Sequence, residues 1–217
     1  MYIDKHYPFE MMPLKYKLTD FDDYLDFNTL SIHYNHIYKN AIDDLNNLLK
    51  DMPALQDISL DEILFNQSFT PISKRTKIER LAGSVYNHQI IFNSVTPTPS
   101  NLVNGKLKEA IEKKYKSVDN FKKEFKTIAN DLYGAGFVFL VCNNKGDVFI
   151  YPTSNNSTTV PFDFYPIIGI DMWEHAYFLK YRCLKDTYIT SWLNHINWNY
   201  ASTEYSDCLK AISDATK

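Results

Sequence analysis

Asp171 and His175 stand four residues apart in the segment Asp171-Met172-Trp173-Glu174-His175-Ala176-Tyr177. The apolar run over residues 166–170 leads into it and reads as a buried strand. Asp171 then falls at the end of that strand, and His175 in the first turn of the next helix. Both side chains could point at one atom. An acid and an imidazole converging in this way are good partial ligands for a transition metal. Alone the pair is a weak signal, because most such pairs are a solvated acid and a hydrogen-bonded histidine. The metal reading depends on what else in the chain can complete the site.

Six histidines are available: His6, His33, His36, His88, His175 and His195. Over residues 28–50, Leu30, Tyr34, Ile37, Ala41, Leu45 and Leu48 recur at intervals of three and four. That period predicts a helix, with Asn28 as its N-cap, and His33 lies on the apolar stripe. A second long helix is expected over residues 73–94. Its apolar face, Ile78, Leu81, Val85, Ile91 and Phe92, also carries His88. Two long helices joined by a moderate loop form an antiparallel hairpin, across which His33 and His88 can face each other. One histidine on an apolar face is more often a hydrogen-bonded core residue. Three that can converge with an Asp favour a metal site of three imidazoles and a carboxylate.

The remaining elements can be placed around these residues. Residues 1–19 read as irregular, since Pro8 and Pro13 interrupt any helix. A short helix is expected over 60–65. Residues 96–101, Thr-Pro-Thr-Pro-Ser-Asn, form an extended linker. Helices are expected over 104–115 and 118–132, the second capped by Ser117 and ended by Gly134 and Gly136. Strands follow over 137–142 and 147–151, joined by an Asn-Asn-Lys-Gly turn. After a loop over 152–165 and the strand over 166–170 come helices over 173–181, 187–194 and 197–212. The expected class is α+β. Residues 1–96 would form an N-terminal antiparallel helical hairpin, and residues 102–217 a domain of helices around a small three-stranded antiparallel sheet.

A chain of 217 residues that is 45% hydrophobic can bury a large core, and nothing in a net charge of -3 suggests a binder of nucleic acid or of a membrane surface. Cys142, Cys183 and Cys208 are odd in number and far apart, which argues against a disulfide framework or a Cys-x-x-Cys metal site. A reducing, cytoplasmic compartment fits that usage. No apolar run approaches the length of a membrane span, and the first ten residues lack the apolar stretch of a signal peptide.

Several motifs, in order, resemble the iron/manganese superoxide dismutase family over nearly the whole chain. Tyr7-Pro8-Phe9-Glu10 with Pro13-Leu14 resembles its opening, and Ile32-His33-Tyr34 with Leu45-Asn46-Asn47-Leu48 its first ligand helix. Tyr86-Asn87-His88 resembles its second ligand motif, and Asp171-x-Trp-Glu-His-Ala-Tyr177 its most specific signature. Tyr181-Arg182, Tyr188 and Ile196-Asn197-Trp198 resemble its C-terminal end. The resemblance implies one iron or manganese ion per subunit, ligated by His33, His88, Asp171 and His175 with a solvent molecule as fifth ligand. It implies dismutation of superoxide to oxygen and hydrogen peroxide. It also implies a homodimer, or a dimer of dimers, in which Glu174 reaches the partner's ligand histidine.

Other positions depart from that pattern. The family's glutamine that bonds the metal-bound solvent falls at Ser84 in the iron-type register and at Asn156 in the manganese-type register. Asn156 carries the same amide on a shorter stem and is expected to stand in. Counting from His33, the family's gate His and Tyr fall at Ile37 and Ala41; Tyr38 or His36 could partly replace them, in helical directions that differ from the family's. The tyrosine that pairs with that gate falls at Phe178, and the two sheet tryptophans at Phe137 and Phe139. His36 and Lys185 fall where the family's entrance funnel is basic. Trp173, Glu174 and Asn156 are the expected residues around the ligands. Two other readings stay open: a metal-binding structural or interaction protein with weak or lost turnover, and a closed zinc site. A non-haem iron oxygenase fits less well, because four protein ligands leave too few open positions.

Overall fold

The computed structural model describes residues 6–21, 23–98 and 102–215. The first five residues of the expected irregular stretch, the Pro99-Ser100-Asn101 half of the linker and the last two residues lie outside them.

The fold is α+β: a helical hairpin on one face of a three-stranded antiparallel sheet, with the later helices on the other. The first long helix is one continuous run of three parts: α1 (Phe27–Ile32), a π-helical segment (His33–Tyr38) and α2 (Lys39–Leu49). Its N-cap is Asp26 rather than Asn28. The Asp26 carboxylate accepts the Thr29 N–H at 2.8 Å, which places Asn28 inside the first turn. Two short helices, α3 (Pro53–Gln56) and α4 (Leu60–Phe65), lead to α5 (Arg75–Asn93). Helix α5 is buried on nearly all sides from Leu81 to Phe92, because it lies between α2 and the sheet.

Past the linker come α6 (Gly105–Tyr115) and α7 (Val118–Asp131), the latter capped by Ser117 as expected. The sheet has β1 (Gly136–Cys142) at its centre, between β2 (Val148–Ser154) and β3 (Tyr165–Asp171), both antiparallel to it. Strand β2 continues to Ser154, and a 3-10 turn over Val160–Phe162 interrupts the loop expected over 152–165. Helices α8 (Glu174–Tyr181), α9 (Lys185–Asn194) and α10 (Trp198–Ala215) complete the chain.

Every residue of β1 is buried, and alternate residues serve two different cores. Phe137, Phe139 and Val141 pack with the hairpin, while Val138, Leu140 and Cys142 pack with α6, α7, α9 and α10. The hairpin is also tied to the sheet by polar contacts. The Ser94 hydroxyl, at the end of α5, donates to the Ile90 carbonyl at 2.7 Å and accepts the Gly169 N–H of β3 at 2.9 Å. Asn46 of α2 holds the N-terminal segment by bonding both the N–H and the carbonyl of Phe9 at 2.8 Å. None of the helices among the described residues is long and apolar enough to cross a membrane.

Candidate metal centre

Four elements deliver four side chains to one point. His33 begins the π-helical segment, His88 lies on α5, Asp171 ends β3, and His175 is in the first turn of α8. One ligand-capable atom from each lies within 4.8 Å of the others. Asp171 Oδ2 is 3.2 Å from His33 Nε2, 3.2 Å from His175 Nε2 and 3.8 Å from His88 Nε2. Atoms that share one ion at about 2 Å lie roughly 3–4 Å from each other. His33 Nε2 and His88 Nε2 are buried with no hydrogen-bond partner among the described residues. Two bare buried nitrogens beside a carboxylate oxygen are costly in an apolar core. Their lone pairs face a common point, so the donor set fits a metal ion.

Neighbouring groups hold each side chain in a ligating form. His88 Nδ1–H donates to the Ser84 carbonyl at 2.7 Å, which leaves the Nε2 lone pair free. Burial, then the nearby His33, lowers the His88 pKa to about 3. Burial also lowers His33, with Asp171 opposing. Burial alone would raise Asp171, but His175 and His33 outweigh it and hold the carboxyl well below the usual range. At neutral pH His33 and His88 are therefore neutral and Asp171 is charged. Asp171 Oδ1 accepts the Trp173 N–H at 2.7 Å, leaving Oδ2 to the histidines, and the Tyr188 hydroxyl donates to the Asp171 carbonyl at 2.9 Å. The Asp171 side chain is fully buried, while that of His175 is 24% exposed, so the cluster meets solvent along the His175 side.

A family model described as the iron/manganese superoxide dismutase α-hairpin domain matches residues 8–96, and one described as the C-terminal domain matches residues 103–204. The chain belongs to the iron/manganese superoxide dismutase family. It is 33% identical over 192 residues to superoxide dismutase [Mn] 3 of Leptolyngbya boryana, covering 88% of this chain and 80% of that protein. Superoxide dismutase [Mn] 1 of the same organism is 31% identical, over 92% and 81% of the two chains. Superoxide dismutase [Mn] of Yersinia enterocolitica is 28% identical, over 91% and 98%. The protein is thus an oxidoreductase of the superoxide dismutase family, with a His/Asp cluster that could hold its metal.

Around that cluster this family member differs from an α-helical count in one respect. The π-helical segment inserts one residue into the turn after His33, so the positions beyond it are rotated. Ile37, four residues on, is half-buried, and Ala41 lies in the hairpin core. The residue brought beside the cluster is Tyr38. Its fully buried ring stacks on His88, with centroids 5.8 Å apart and planes at 20°. Its hydroxyl accepts the Met12 N–H at 3.2 Å. Helical periodicity alone points Tyr38 elsewhere, because a π-turn leaves no mark in the spacing of apolar residues.

The other expected residues have separate fates. Trp173 stacks on His175, with centroids 5.6 Å apart, and its indole N–H donates to the Asn155 carbonyl at 3.3 Å. It therefore links a cluster histidine to the loop that carries Asn156. That loop packs against α5 so closely that a Cβ on Gly83 would lie 2.1 Å from the Asn156 carbonyl oxygen. The Ser84 hydroxyl lies 3.4 Å from His88 Nδ1, the nitrogen turned away from the other donors. Glu174 is exposed on α8 and makes no hydrogen bond to the four donors. Phe137 packs edge-on to His88, with centroids 6.1 Å apart, and stacks with Phe139. His36 is exposed. Lys185 is not a free entrance cation: its ammonium donates to the Asn130 and Leu132 carbonyls at 3.0 Å and closes the end of α7.

Proposed function

We propose that this chain is a catalytically competent superoxide dismutase, converting superoxide to oxygen and hydrogen peroxide with one iron or manganese ion held by His33, His88, Asp171 and His175. The observation that carries the reading is the convergence of four donors, two of them buried imidazole nitrogens with no hydrogen-bond partner among the described residues. The ion, when bound, supplies the electron that alternate superoxide molecules give and take. Asp171 supplies the anionic donor that favours its more oxidised state. The Ser84 carbonyl fixes the His88 tautomer, and the Asp171 Oδ1 bond to Trp173 N–H fixes the carboxylate. Trp173 walls the site beside His175.

Asn156 is our candidate for the amide that orients solvent at the site. Its loop is fixed against α5 at Gly83, and its own amide makes no hydrogen bond among the described residues. We further propose a homodimer formed through α8. Glu174 and Phe178 are both exposed and one turn apart, Phe178 at 44%, beside the most accessible of the four ligands. A cytoplasmic location is proposed on the strength of three cysteines that are all unpaired.

The absence of the family's gate residues at Ile37 and Ala41 favours a second reading, a metal-binding member with weak turnover. Stopped-flow superoxide decay separates the two, on protein loaded separately with iron and with manganese and with His88→Ala as control. Fast decay with one metal, abolished in the control, is the expected result. Decay no faster than the control with either metal overturns competence and leaves a metal-stabilised scaffold.

A further inference from the structure

A second reactive pair lies at the end of the sheet opposite the metal cluster. Cys142 is the last residue of β1, and Cys208 sits on the buried face of α10. They are 66 residues apart in the chain, yet both residues line one cleft of about 360 Å³, together with Asn143, Asp163, Tyr165 and Ile212. Both cysteines belong to the same buried core cluster, and the Cys142 thiol donates to the Asn143 carbonyl at 3.4 Å. Cys142 is fully buried and Cys208 is 3% exposed, so no large thiol or protein would reach them, whereas the cleft is wide enough for a water-sized oxidant. Cys183, the third cysteine, is exposed and stands alone.

We propose that Cys142 and Cys208 form a dithiol site that hydrogen peroxide oxidises to a disulfide, fastening α10 to the end of β1. Contact with Cys142 lowers the Cys208 thiol, and contact with Cys208, ahead of burial, raises Cys142. Cys208 is also the less buried of the two, and it is the attacking thiolate. Its sulphur takes one oxygen of the peroxide as the O–O bond breaks, and the departing hydroxide leaves as water with a proton. Cys142 sulphur then attacks the sulfenic sulphur, the S–S bond forms, the S–O bond breaks, and the second oxygen leaves as water with the Cys142 proton. Two thiols lose two electrons and two protons, and one peroxide becomes two waters. Peroxide is the product of the family's reaction, but the site does not touch the metal cluster, so its test does not depend on turnover.

The test is intact-mass and peptide analysis of the folded Cys183→Ser protein, exposed to increasing hydrogen peroxide and then alkylated. The expected product has lost two hydrogens, contains a Cys142–Cys208 cross-linked peptide that dithiothreitol releases, and melts roughly 5 °C or more above the reduced form. Cys142→Ala is expected to leave a sulfenic acid on Cys208 that dimedone traps once the oxidised protein is unfolded. Oxygen added to either cysteine without a cross-link overturns the proposal. So does the survival of both thiols at peroxide levels that oxidise Cys183 in the unaltered chain.

Discussion

The Tyr38 ring lies nearly parallel to that of His88, 5.8 Å away, because the backbone between His33 and Tyr38 is π-helical. An unbroken α-helix would have placed Ile37 at the next turn. Tyr38→Phe keeps the stacked ring and removes the hydroxyl, with its bond from Met12 N–H. Its expected cost is about 1 kcal/mol in denaturant unfolding, with metal content unchanged. Tyr38→Ala empties a fully buried aromatic site and is expected to cost about 3–5 kcal/mol.

Asp171→Asn keeps the shape of the carboxylate but removes the one negative charge among the four donors. Metal content by elemental analysis is expected to fall. Activity is expected to drop by more than the roughly 10–100-fold typical of residues that only orient a ligand. A fully loaded, active Asp171→Asn protein would remove Asp171 from the donor set.

Gly83→Ala would place a methyl group 2.1 Å from the Asn156 carbonyl oxygen, which is backbone and cannot simply rotate away. The loop must shift relative to α5, at an expected cost of about 1–3 kcal/mol. Because that loop carries Asn156, superoxide decay per bound metal is expected to fall as well. The comparison is thermal unfolding and stopped flow on the same preparation.

Asn156→Ala and Asn156→Gln test the amide directly. Removal of the amide is expected to lower activity by about 10-fold or more at equal metal content. The longer glutamine is expected to retain or raise it. Equal rates in all three proteins would assign Asn156 to the loop alone.

Acid is expected to destabilise the metal-free protein through its histidines. His88 has its pKa lowered to about 3 and His33 is lowered as well, whereas an unfolded histidine titrates near about 6.5. The unfolded chain therefore binds protons first as pH falls. The stabilising contribution is complete above about pH 6.5 and shrinks as pH falls toward 3. Asp171, held below its ordinary value, adds a loss at still lower pH. Thermal unfolding of the metal-free protein from pH 8 to pH 4 should show a falling melting temperature. The slope should be shallower in His88→Gln.

The chain by itself determined most of the elements and the identity of the four converging side chains. Leu30, Leu45 and Leu48 repeat with a helical period, the run ending at Asp171 is continuously apolar, and Ser117 is a local cap; each is written in adjacent residues. The motifs around His33, His88, Asp171 and His175 are local too. Tertiary structure decided what local spacing cannot carry. The π-helical segment moved Tyr38, rather than Ile37, beside His88. Lys185 was drawn to the end of α7, and the loop at Asn156 was pressed onto Gly83. Cys142 and Cys208, far apart in the chain, were set on one cleft where β1 ends and α10 passes. The periodicity of a sequence reports which face of an element is buried. It does not report what that face is packed against, because the partner is chosen by the packing of the whole chain.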